Sequence, residues 1–453
     1  MRKLGVLFAA LLMVVPTTVA AEPVAGPAVR LLRDTQLDPA ALYFVSYDGL
    51  VNNESFAQDP ILTYGAFQYA TWYTADRSAV VARRKTGTAT WQKVVLPHRL
   101  SANDSHNVIS LGVSPRDGRL HVAMDTHNTP VFYVKSTAGV VDRPQWSIAD
   151  FGPVRRTLDG VDLGGISYPR FLVTPEKNLQ LSYRTGGSGN GTLELAEYDG
   201  TWRKLGRWTS ATGSYTGPNG VVSTTRNMYL HGLTYGPGGR LHAAFTWREG
   251  NAEVLCNPGG LTNHDTGYVY SDDRGRTWHR DDGTRVQTPV AVDPNLVVDP
   301  LDPDHGLMNQ ESQAVDSTGT PHVVISYVPG RFTQCVTSYA ADRTRWARTF
   351  HLTKKNGVWT KQEVPVPPNA TGRTRIVFDR DDNAYLVMPY GRIVAASEAS
   401  GWTDWTVLYD RPGMNVFGEV NVDLAGDVLS VLYQQRSTGT TPSPIRVADF
   451  RIG

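Results

Sequence analysis

Two His-Asn pairs frame one short stretch of the chain. His106-Asn107 opens "HNVISLGVSPRDGRLHVAMDTHN" and His127-Asn128 closes it, 21 residues further on. Imidazole gains or loses its proton near neutral pH, so paired histidines suggest proton transfer. The following stretches add Tyr168 in "SYPRF" and Arg184 in "LSYRTGG", then Tyr229, His231 and Trp247-Arg248. Guanidinium matches a carboxylate in two-point fashion. A phenol can relay a proton once activated from its usual pKa of about 10. No carboxylate is expected among these positions. That disfavours a glycosidase, which needs two carboxyl groups about 5 to 10 Å apart. No G-x-S-x-G elbow supports a serine nucleophile either. The set suits elimination beside a uronate carboxyl group. That reaction needs a charge partner for the carboxylate, a base for the C5 proton and an acid for the departing C4 oxygen.

Something must bring these residues together, and a repeated hairpin does so. "LGVSPRDGRLHVAM" is an apolar run, a Gly/Asp/Pro turn and a second apolar run, the strongest short-range hairpin signal. The same form starts at Ile61, Leu111, Phe171, Leu233, Ala314, Ile376 and Val422. Six of these seven hairpins are followed by a second one whose last strand carries a Trp, as in "LELAEYDGTWRKLGRW". Two hairpins per unit make a four-stranded sheet, and a series of such sheets predicts a β-propeller. A pair of β-sandwiches is the alternative. The expected fold is all-β, one seven-bladed propeller over residues 22–453, with four-stranded antiparallel blades. The last repeat is one strand short, so "ALYFVSY" at 41–47 is expected to close the ring as its missing strand. "SDDRGRTW" fits the Asp-box turn through Ser271, Asp273, Gly275, Thr277 and Trp278, which argues for fold rather than chemistry.

Within a hairpin, residues just before the first strand and just after the second lie on one rim. His106 and His127 hold those positions around one hairpin, Tyr168 and Arg184 around the next. Tyr229, His231 and Arg248 surround the fourth. By contrast, His121, His242 and His322 sit inside strands, in "RLHVAM", "RLHAAF" and "TPHVVI", and are expected to be packing residues.

Composition excludes other classes. Net charge is +1 with no Lys/Arg block, so no nucleic-acid footprint is expected. Arg2 and Lys3 precede "LGVLFAALLMVV" and a small-residue "TVAA", the pattern of a secretory leader over residues 1–21. No later run is long and apolar enough to cross a bilayer. A secreted protein that works as a monomer, free of membranes, is the expectation.

At "SHN…DTHN", at "YPRF" followed 16 residues after its Tyr by an Arg, at "NMYLHGLTYGPGGRLHAAFTWRE" and at "NHDTGYVYSDDRGRTW", the chain resembles the propeller polysaccharide lyases. These are the ulvan lyases and the rhamnose-glucuronate lyases of the BNR-repeat class. The resemblance implies β-elimination on a polysaccharide of rhamnose and uronic acid, with His106, His127, Tyr168 and Arg184 as the active centre. Tyr168 and one His would share acid–base work, while Arg184 and the other His bind the carboxylate. Asn107, Asn128, Tyr229 and Arg248 are the expected substrate contacts. A related branch hydrolyses rhamnose-glucuronate linkages, and a lectin-like propeller without turnover is a further alternative. No cofactor is required for the chemistry, but some members carry a structural metal. His231, Cys256, His264 and Cys335 would suit tetrahedral zinc, with calcium the other candidate ion. A Cys256–Cys335 disulfide explains the same two cysteines in an exported protein.

Overall fold

A computed structural model of the chain describes Met1 and residues 26–46, 49–57, 59–257, 259–330, 335–410, 414 and 418–453. The expected leader lies outside the described residues apart from Met1. Strands dominate. Among the described residues the one α-helix is Tyr339–Trp346.

All seven hairpins read from the sequence are antiparallel pairs. The fold is a β-propeller. Six of its sheets contain four or more strands, and each is an antiparallel meander in its main run. Ile109–Ser114, Arg119–Met124 and Phe132–Lys135 form a further, three-stranded sheet, which lies second in chain order. The strands are buried on both faces because each sheet is sandwiched between two others. Alternation then sorts side chains between two cores. In Ala384–Val387, Ala384 and Leu386 pack with Val324 of the preceding sheet. Tyr385 and Val387 pack with Leu429 and Val431 of the following one. Equivalent shared cores join every consecutive pair, and Ile61, Trp72, Leu37, Leu432 and Val447 join the last sheet to the first.

Two glycines mark where sheets come closest. A Cβ on Gly112 would lie 2.5 Å from the Phe171 side chain, and one on Gly232 would lie 2.5 Å from Gln313 Cβ. Both sit on the first strand of a hairpin, where the sheets converge, so no larger residue fits.

Arg446 and its neighbours reveal a difference from the sequence reading. The strand beside Ser443–Ile452 is Val29–Ala41, with Val29 opposite Ile452 and Thr35 opposite Val447. The expected partner, 41–47, contributes only Ala41. Leu42, Tyr43 and Phe44 are buried outside any ladder. Val45–Ser46 turns back on Gly49–Leu50. Tyr47 lies outside the described residues. The apolar run is loop packing, and a more polar segment makes the strand.

The Asp box forms as expected. Ser271 Oγ accepts from the Gly275 N–H, and Asp273 accepts from the Thr277 N–H and hydroxyl. Trp278 is buried and stacks on Trp208, ring centroids 4.1 Å apart. The in-strand histidines are core. His121 and His242 each place Nδ1 2.7 Å from a tyrosine hydroxyl on the next strand, Tyr133 and Tyr268 respectively. His322 Nδ1 lies 2.8 Å from His351 Nε2.

Candidate functional site

The loop "SANDSHN" precedes the second hairpin and folds back on itself at Asp104. Asp104 Oδ1 accepts from the His106 backbone N–H, and the Asp104 carbonyl accepts from the Asn107 N–H. This local Asx-type turn points the carboxylate at both imidazoles. His106 Nδ1 lies 2.5 Å from Asp104 Oδ1, and His127 Nδ1 lies 2.8 Å from Oδ2. The two rings stack, centroids 4.4 Å apart and 18° from parallel. A carboxylate therefore does stand in the rim set, contrary to the sequence reading. Its signal was its place two residues before His106.

Tyr168 faces this pair, its ring 5.9 Å from His106 and 5.8 Å from His127. Its strand, Ile166–Val173, slips register between Ser167 and Arg170, and Tyr168 takes φ 57° at that irregularity. A tyrosine with left-handed backbone is strained by roughly 1–3 kcal/mol. Neighbouring bonds hold it there. Arg170 grips Asp59, two residues before the Ile61 strand, through Nε and Nη2 at 3.1 and 2.8 Å. Ser167 Oγ accepts from the Asn128 N–H. Phe56 meets both His106 and Tyr168 edge-on.

Arg184 lies under the Tyr168 ring, Cζ 4.6 Å from its centroid. The guanidinium is not a free fork. Nη1 donates to the Tyr229 hydroxyl, and Nη2 donates to Asn128 Oδ1 and Ser167 Oγ. With 2% of its surface exposed, Arg184 supplies positive potential rather than an open bidentate clamp. Arg248 is more accessible, with its charge near the Tyr229 ring.

His106, His127, Tyr168, Arg184 and Arg248 line a cleft of about 350 Å³ together with Asn128, Tyr229, Arg373, Gln310 and Tyr339. A second cavity of about 380 Å³ adjoins it and shares Phe56, Tyr168, Arg184, Tyr229 and Gln310 with it. Arg373 was missed in the sequence. Its guanidinium stacks on Phe56, Cζ 3.9 Å from the centroid, and is held by Glu419 and Asn309. It sits just before the sixth hairpin, where His106 sits before the second.

Electrostatics separates the roles. Burial works against the Asp104 charge, yet hydrogen bonds from His106 and His127 hold its carboxyl far below the usual carboxylate range. Burial lowers the His106 pKa, so its imidazole is neutral at neutral pH. Burial, then the neighbouring Tyr229, pushes the Tyr168 phenol well above 10, although Arg184 and Arg248 oppose the shift. Tyr168 therefore carries its proton at rest.

Two sequence expectations fail here. Asn107 is buried and donates from Nδ2 to Asp125 Oδ1, so it braces the loop instead of meeting substrate. The zinc quartet is not assembled, because Cys256 and Cys335 are bonded to each other. His264 directs Nδ1 to Asp265 and Nε2 to Glu249. Buried His231 accepts the Glu311 N–H at Nδ1. Among the described residues, the one trio of His, Cys, Asp or Glu side chains spaced to hold an ion is Asp104, His106 and His127.

The model of the BNR repeat-containing family matches residues 67–366, and the chain belongs to that family. An ulvan lyase, long isoform, from Glaciecola sp. (strain KUL10) is 24% identical over 88% of the chain. A short-isoform ulvan lyase from Alteromonas sp. (strain LOR) is 25% identical over 53% of it. The chain spans 43% of the Glaciecola relative's own length. Among solved structures, the polysaccharide lyase Uly1 superposes with a TM-score of 0.72 at 17% identity, covering 93% of this chain and 99% of that one. A PL25 ulvan lyase bound to -[GlcA(1-4)Rha3S]- gives 0.65 at 12% identity, covering 91% and 95%.

Proposed function

We propose that the protein is a polysaccharide lyase that cleaves a chain of rhamnose and uronic acid by β-elimination. One observation carries the reading: the His106 imidazole, the Tyr168 phenol and the arginine charge of Arg184 and Arg248 converge on one cleft. His106 takes the C5 proton, and the C5–H electron pair moves toward the uronate carboxyl group. Arg184 and Arg248 stabilise the enediolate that forms there. That pair then makes the C4–C5 double bond as the C4–O bond breaks. Tyr168 donates its proton to the departing oxygen. With its pKa raised, Tyr168 fits an acid better than a resting base.

The reading includes a ring of seven blades, with the three-stranded sheet as the second and Val29–Ala41 completing the seventh. The shared core between last and first sheets supports it. It also includes export, which the Cys256–Cys335 disulfide favours because such bonds persist in oxidising compartments.

The test is incubation with ulvan, gum arabic and glycosaminoglycans while following the ultraviolet absorbance of unsaturated uronate. Elimination alone creates that chromophore. New reducing ends without absorbance would replace the reading with hydrolysis, and binding without either would make the protein a lectin-like propeller.

A further inference from the structure

We infer that Asp104 is a positioning residue that holds His106 and His127 in the same tautomer, each with its proton on Nδ1 and an acceptor lone pair on Nε2. An ionised carboxylate only accepts hydrogen bonds. Both Nδ1 atoms lie within hydrogen-bond distance of Asp104, one on each oxygen. Each imidazole must therefore donate through Nδ1. In neutral imidazole that leaves Nε2 as the sole acceptor. The carboxylate is itself fixed, because Oδ1 also accepts the His106 backbone N–H. One acidic side chain thus orients two stacked rings and keeps both from presenting an N–H through Nε2.

The role rests on the lyase reading only in what the oriented nitrogens act upon. When His106 accepts the C5 proton at Nε2, the imidazolium formed already has its counter-charge in Asp104. Burial is the main cause that lowers the His106 pKa, and the Arg373 charge adds to it.

Nitrogen-15 correlation spectra of histidine-labelled protein test the tautomers without substrate. Both rings should show the Nδ1–H form. Asp104→Asn offers one acceptor and one donor, so one ring should keep Nδ1–H and the other switch to Nε2–H. Turnover should then fall about 100-fold or more through kcat, with KM little changed, the range a positioned acid–base group contributes. Correct tautomers in a protein that cleaves no uronate polymer would support Asp104's role and sink the lyase reading. Nε2–H rings in the unmodified protein would overturn the role whatever the activity. So would an Asp104→Asn protein that keeps both tautomers and full turnover. The spectrum of the unmodified protein decides even if the variant does not fold.

Discussion

His121 and His127 stand six residues apart on one hairpin and show how position decides what an imidazole can do. His121 is fully buried, with Nδ1 on the Tyr133 hydroxyl. Burial drives its pKa down to about 3, so it stays neutral throughout the physiological range. His127 lies past the strand end, with Nδ1 on an ionised carboxylate and its ring lining a cleft. The partner in the core is neutral and closed in. The partner at the rim is charged and shared with a second ring. A histidine that pins sheets together is thus told apart by its surroundings, not by its type.

The largest effect should come from the cleft side of this comparison. Tyr168→Phe keeps the ring over Arg184 but deletes the proton donor. Turnover should nearly vanish, by about 1,000-fold or more, while the melting temperature stays within a degree or two of the parent. Retained lyase activity would place the acid elsewhere.

His121→Ala should do the reverse. It leaves a cavity and strips the Tyr133 hydroxyl of a partner, costing about 2–5 kcal/mol in denaturant unfolding. The folded fraction should turn over normally. Equal losses of stability and of turnover per folded molecule would erase the distinction drawn here.

Cys256→Ser with Cys335→Ser removes a bridge across 79 residues and should cost about 2–4 kcal/mol. Stripping metal with a chelator should not reproduce that loss, since the two sulfurs are bonded to each other and not to an ion.

pH gives the gentlest test. His106 must be neutral to accept a proton, and its pKa is lowered. Activity should therefore hold as pH falls to 6.5 and decline only below it. Stability should erode from about 6.5 downward, because His121 and His242 bind protons when unfolded that they refuse when folded. A pH–rate profile beside a pH–melting profile separates the two sets. An activity midpoint above 6.5 would contradict the burial of His106.

Much of this was legible because hairpins are local. An apolar run, a turn and another apolar run specify each pair locally, and all seven pairs form. The strand Val29–Ala41 is hidden for the opposite reason. "VRLLRDTQLDPAA" carries two aspartates and a proline, and only its distant partner makes it a strand. In the site, His106, His127, Tyr168 and Arg184 followed from their places at hairpin ends. Asp104 did not, because its role depends on a loop turning back on itself. Arg373 obeys the same rule as His106, standing just before the hairpin that starts at Ile376, but no His or Tyr partner in the sequence marks it. The doubled His-Asn misled in one half. Asn128 has φ 53° and reaches Arg184 and Ser167, whereas Asn107 turns inward to Asp125.

The pairing of Val29–Ala41 with Ser443–Ile452 has a cost in time. Thr35 bonds to Val447, 412 residues away. At a ribosome's pace of roughly 5 to 20 residues per second, the early strand waits on the order of 20 to 80 s for its partner to be made. Its charged residues, Arg30, Arg33, Asp34 and Asp38, would keep it from sticking to other chains during that wait. The polarity that hid this strand from a sequence reading is thus what lets a nascent chain carry it safely.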